Sequence, residues 1–200
     1  MYKRVVYMRS ITKKEMAFVL TLVKSPGAVY NANSLAMELH ITPMGALKIG
    51  KRLIGEGVLH SEQKGKAYFY SLNKKDAYAK YYLSFLLAQE RITASPYVKR
   101  WIRDIEKLVH TDLIILFGSI LTKEKQASDV DVLLVTDQKD FPKLKEEVEE
   151  LNKISPKKIH PVYQSRKDLK ANIFRDKVVQ NAIKGIIVKG EELFIEEVVE

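Results

Sequence analysis

Two aspartates on an alternating segment, Asp129-Val130-Asp131-Val132, offer the plainest chemistry in the chain. On a strand, side chains two apart share a face, so Asp129 and Asp131 stand side by side with Cα atoms about 6–7 Å apart. Neighbouring carboxylates repel unless a cation lies between them, which makes the pair a candidate divalent-metal site. Upstream, Gly118-Ser119 follows the apolar run Leu113–Phe117 where a helix would begin. Free amides at a helix start suit a phosphate, and a metal beside a phosphate cradle is equipment for phosphoryl or nucleotidyl transfer. Taken singly, a Gly-Ser turn is common, and alternating Asp and Val can form a merely polar strand face.

The elements that must position these residues follow from Asp112 onward. Apolar strands are predicted over 113–117, 130–135 and 158–163, and an acidic amphipathic helix over 141–154. Helices fill about 166–184, and Ile186–Phe194 reads as a closing hairpin turned at Lys189-Gly190. That alternation predicts a small mixed-sheet α/β unit.

This order of residues resembles the nucleotidyltransferase superfamily of polymerase-β type, in particular its small stand-alone members. The resemblance covers roughly residues 95–194 and is sharpest over 116–135. It implies that Gly118 lets the backbone approach a triphosphate, that Ser119 offers its hydroxyl and amide, and that Ser128 fixes the strand entry beside the nucleotide. It also implies that Asp129 and Asp131 are catalytic and hold Mg²⁺. The ion would bridge the phosphates of an NTP, ATP foremost, and prepare an acceptor hydroxyl for in-line attack on the α-phosphorus. Small relatives sometimes pair with a toxin, so a protein target of nucleotidylation follows by analogy. Two departures stand out. No glycine occurs in Ile120–Gln126, where these enzymes usually have one, and His160 or Pro161 occupies the place of the usual third carboxylate. A histidine can bind a metal or take a proton but carries no negative charge. Asp168 and Glu150 are the nearby acids in sequence, without motif support.

The chain of 200 residues has a net charge of +9, unevenly spread. Residues 1–110 carry 19 Lys/Arg against 8 Asp/Glu, whereas 111–200 carry 15 against 17. A basic half joined to a near-neutral one suggests that the first meets a polyanion, although a lysine-rich soluble surface gives the same count. Three helices are predicted there, from Thr12 to about Lys24, Asn33 to Leu39, and Thr42 to about Gly55. A hairpin turned at Lys64-Gly65-Lys66 follows. Over about residues 10–72 this resembles a winged helix-turn-helix, which implies DNA binding through the third helix and the wing. Ala46, Ile49 or Gly50, and Leu53 face inward; Met44, Lys48, Lys51 and Arg52, with Lys64 and Lys66 on the wing, are the candidate DNA contacts. Each is also an ordinary solvated side chain, and Arg52 can snorkel over the core.

Between the halves, helices are predicted from Lys74 to about Ala88 and from about Tyr97 to His110, which would serve as a C-terminal cap. Tyr78, Tyr81, Tyr82, Phe85 and Leu86 form an aromatic stripe suited to core or to a homodimer contact. The longest apolar stretch, Tyr81–Ala88, is too short to span a membrane, and Met1–Ser10 lacks an apolar leader segment. Zero cysteines exclude disulfides and fit a cytoplasmic protein. The fold class expected is α+β: a winged helix over 1–73, a helical connector over 74–110 and a nucleotidyltransferase-like domain over 111–200. A nucleotide-sensing transcriptional regulator is the alternative to an enzyme.

Overall fold

A computed structural model describes residues 10–199. Met1–Arg9, read above for a leader segment, lie outside the described residues. The first helix, α1 (Lys13–Val23), opens on a reciprocal cap: the Glu15 amide donates to the Thr12 hydroxyl, and the Thr12 amide donates to the Glu15 carboxylate. A two-residue strand, β1 (Tyr30–Asn31), comes next, unmarked by any sequence pattern. Then follow α2 (Ala32–Glu38) and α3 (Pro43–Gly55), the latter capped by Thr42 with proline in its first turn. A hairpin of β2 (Leu59–Lys64) and β3 (Ala67–Leu72) turns through Gly65, and β1 joins it in the order β1-β3-β2. Ala46, Gly50 and Leu53 are the buried residues of α3. Gly50 is pressed so closely on the Tyr70 ring that an added Cβ would lie 2.6 Å from Tyr70 Cζ. The small residue lets the helix seat on the sheet.

Two connecting helices differ in extent from the prediction. The first, α4, spans Ala77–Thr93, because the Asp76 side chain accepts from the Tyr78 amide and sets the start. It buries Tyr82, Leu83, Leu86 and Leu87, while Tyr78, Tyr81 and Phe85 face outward. The stripe is therefore divided between core and surface. The second, α5 (Pro96–Ile105), stops well before His110. The His110 and Val109 amides donate to Glu147 Oε2, and His110 Nδ1 lies 2.7 Å from Glu147 Oε1. His110 pins a loop and caps no helix.

The second unit, a four-stranded sheet with its helices, is built from β4 (Leu113–Phe117), α6 (Ile120–Lys123), β5 (Asp129–Val135) and α7 (Phe141–Ile154). It is completed by β6 (Lys158–Gln164), α8 (Arg166–Asn172), α9 (Lys177–Ala182), β7 (Ile186–Lys189) and α10 (Glu191–Phe194). Strand order is β6-β5-β4-β7, with β5 and β6 parallel and the other pairs antiparallel. The predicted closing hairpin is absent. Gly190 takes a left-handed φ of +84° against the Asp112 carbonyl, and the chain turns into α10, whose Leu193 and Phe194 enter the core.

Each face of this sheet has its own core. Ile114, Leu116, Val130, Val132, Leu134 and Ile159 pack with Trp101 of α5 and Leu144 of α7. Leu113, Ile115, Phe117, Leu133 and Val135 belong to a second cluster that continues through α9 and α4 to α1 and the first hairpin. Across this junction the buried Lys24 ammonium donates to Glu90 and to the Gly185 carbonyl. Burial pushes the Lys24 pKa down and the Glu90 pKa up, and each partner's charge opposes that shift. No described helix is long and apolar enough to cross a membrane.

Candidate active site

Strand register decides which side chains meet. The parallel ladder sets Asp131 opposite His160 and Asp129 opposite Lys158, while Phe117 faces Asp131 from the other neighbour. Val130, Val132 and Ile159 fill the core on the α5–α7 side. Alternation therefore sends Asp129, Asp131 and His160 to the opposite face. Farther along that face of β5, Leu133 and Val135 are buried; towards its start the apolar cover gives way to the two half-buried aspartates.

The three polar side chains converge. One ligand atom from each of Asp129, Asp131 and His160 lies within 4.8 Å of the others. His160 Nδ1 stands 3.4 Å from Asp129 Oδ2. Burial raises the Asp131 pKa, the Asp129 charge raises it further, and His160 draws it partly back. Those are the marks of a carboxylate short of positive charge, and a divalent cation would supply it. Two carboxylates and an imidazole form a donor set that such an ion accepts. The sequence places His160 or Pro161 at the third-acid position, where a histidine can bind a metal or take a proton. The register makes His160 a full member of the cluster.

Gly118 carries the closest approach at the site. Its φ is +80°, and an added Cβ would collide with Asp131 Oδ2, so both conformation and space demand glycine. Ser119 is half-buried and its hydroxyl makes no capping bond, while its carbonyl accepts from the Lys123 amide at 2.7 Å. A helix does begin here, with Ser119 as its N-cap residue. It runs for only four residues before a 3₁₀ turn over Glu124–Gln126, so it has little dipole to offer a phosphate. Ser128 is exposed at the entry to β5. Glu124 adopts φ 47°, ψ −112°, the conformation of the first central residue of a type II′ turn, where glycine is the default. The glycine missing from the sequence thus has a backbone counterpart.

Neither other acid supplies the third carboxylate. Asp168 bonds Ser165 at the start of α8, and Glu150 pairs with Lys153 on α7. On the basic half, Met44, Lys48, Lys51, Lys64 and Lys66 are all exposed. Lys64 pairs with Glu62 at 3.1 Å. Arg52 is turned differently, forming an ion pair with Glu15 of α1 and lying 3.1 Å from Glu56.

Residues 98–190 match the family model described as a nucleotidyltransferase domain. The matched span runs from within α5 to just past β7, and includes Gly118, Ser119, Asp129, Asp131 and His160. That family points to transfer of a nucleoside monophosphate in general, with a nucleoside triphosphate as substrate and a divalent metal as helper. No curated protein and no solved structure matches the chain.

Proposed function

We propose that this chain is a divalent-metal-dependent nucleotidyltransferase that moves a nucleoside monophosphate from an NTP, ATP foremost, to a hydroxyl acceptor. The observation that carries the reading is the convergence of Asp129, Asp131 and His160 beside the positive-φ Gly118. Asp129 and Asp131 would hold the metal, Mg²⁺ being the ordinary ion for this chemistry. When bound, it would screen phosphate charge and acidify the acceptor hydroxyl. Gly118 lets the backbone turn close against Asp131, and the Ser119 hydroxyl, which makes no capping bond, can donate to a phosphate oxygen. In the reaction the acceptor oxygen bonds to the α-phosphorus as the bond to the α,β-bridging oxygen breaks. Pyrophosphate leaves, and the hydroxyl proton passes to water.

The test is incubation with α-labelled ATP, Mg²⁺ or Mn²⁺, and acceptors that include RNA ends, small hydroxyl compounds and protein hydroxyls. Label should appear in one acceptor, and Asp131→Asn should lower transfer by about 100-fold or more, the usual scale for losing one electrostatic contact to a transition state. Transfer equal in Asp131→Asn and the unmodified chain sinks the reading.

The basic half is proposed to be a winged helix that binds DNA through α3 and the β2–β3 tip, with Met44, Lys48, Lys51, Lys64 and Lys66 as contacts. Its support is the order α1-β1-α2-α3-β2-β3 together with the exposed lysines. Arg52 is better suited to bracing α3 on α1. A second reading, a DNA-binding regulator that senses a nucleotide without turning it over, is favoured by one observation: His160 stands where a third carboxylate is expected.

A further inference from the structure

Resting on the metal site proposed above, we infer that His160 is a metal ligand through a ring nitrogen, and that it biases the site toward a first-row transition ion, Mn²⁺ foremost, over Mg²⁺. Three observations lead there. The parallel ladder places His160 directly opposite Asp131 on the shared face. A His160 nitrogen falls within 4.8 Å of ligand oxygens from both aspartates. Among the described residues the imidazole makes no hydrogen bond, its Nδ1 being 3.4 Å from Asp129 Oδ2, and the side chain is 48% exposed, so the ring can turn onto an ion.

The chemistry of the donors sets the preference. Mg²⁺ demands near-octahedral oxygen coordination and gives up water reluctantly. Imidazole suits the later ions, whose affinity for mixed nitrogen and oxygen sites rises from Mn²⁺ through Fe²⁺ and Co²⁺. Replacing a third carboxylate by a neutral ring removes one negative charge, which weakens the pull on a hard ion most. Mn²⁺ accepts both donor types and also tolerates phosphate oxygens, so it fits this site and its nucleotide together.

The experiment is electron paramagnetic resonance of Mn²⁺ bound to the whole chain with a non-hydrolysable ATP analogue, using Mg²⁺ as competitor. Echo-modulation spectra of the unmodified chain should show coupling to a directly bound ¹⁴N, replaced by ¹⁵N coupling when only histidine is ¹⁵N-labelled. His160→Asp should abolish that coupling and lower the ratio of Mn²⁺ to Mg²⁺ affinity by about tenfold or more, the lower bound for disturbing a metal's surroundings. Mn²⁺ bound without histidine coupling, or an unchanged affinity ratio in His160→Asp, overturns the role of His160 and leaves the metal site standing. Absence of Mn²⁺ binding, or binding indifferent to Asp131→Asn, overturns this inference and the metal-dependent reading together.

Discussion

At the scale of single residues, the site depends on the contact between Gly118 and Asp131. Gly118→Ala would place a side chain in a left-handed conformation, at roughly 1–2 kcal/mol, and would push Asp131 out of line with Asp129. The expected result is a lower melting temperature together with loss of Mn²⁺ binding. Near-native metal affinity in this variant would show that the contact is incidental. Glu15 allows a second residue-scale prediction. Burial raises its pKa, but bonds from the Thr12 backbone and hydroxyl and from Arg52 more than offset this and bring it below the ordinary 4.5. A depressed folded-state pKa stabilises the fold above the unfolded value, and the gain is lost as pH falls through the folded value. Glu15→Gln should therefore unfold more easily at pH 7, by about 1–3 kcal/mol in urea titrations. That difference should shrink as pH falls below 4.5, and a pH-independent difference would contradict the assignment.

Elements were legible where one local signal dominates. Thr12 and Thr42 cap the helices they precede, and the Leu113–Phe117 strand reads as an unbroken apolar run because both its faces are buried. The aspartate pair was legible for the same reason, since period-two alternation needs no partner to be seen. Features that depend on a distant strand were not. The membership of His160 depends on the β5–β6 register, and the turn at Gly190 on packing against Asp112. Glu124 combines both cases: its sequence lacks the expected glycine, yet its backbone takes a glycine conformation. Such strain costs on the order of 1–3 kcal/mol, part of which glycine's greater flexibility when unfolded gives back. Glu124→Gly should raise the urea midpoint; a fall would mean that the Glu124 side chain stabilises the turn by contacts of its own. For the basic half, Lys48→Ala and Lys51→Ala should each reduce the slope of log affinity against log salt for duplex DNA by about 1. A salt-independent affinity in the unmodified chain would remove DNA as the partner.

Across the whole molecule, the charge asymmetry suggests two independent halves, but the packing couples them. The core cluster that begins on α1 ends on the face of the sheet that presents Asp129 and Asp131, with α4 between. The Lys24 ammonium, buried at that junction, joins Glu90 on α4 to the Gly185 carbonyl just before β7. In the sequence Lys24 looks like any helix-terminal lysine, since its burial exists only once both halves have folded. Beside it opens a cavity of about 560 Å³ lined by Lys13, Leu20, Glu90 and Lys184, none of them from the Asp129, Asp131 and His160 cluster. The consequence is cooperativity. Trp101, the single tryptophan, is buried against the far face of the second sheet and reports on the packing there, whereas far-ultraviolet circular dichroism also senses α1, α2 and α3. Both signals should fall at one urea midpoint. Lys24→Met leaves Glu90 without its cation in a low-dielectric setting and should lower stability by about 3–5 kcal/mol, and pairing it with Glu90→Leu should restore most of the loss. If the two probes separate in the unmodified chain, or if the double variant is no better than the single one, the halves are merely tethered. A nucleotide at the aspartates would then have no packed route by which to influence the basic surface.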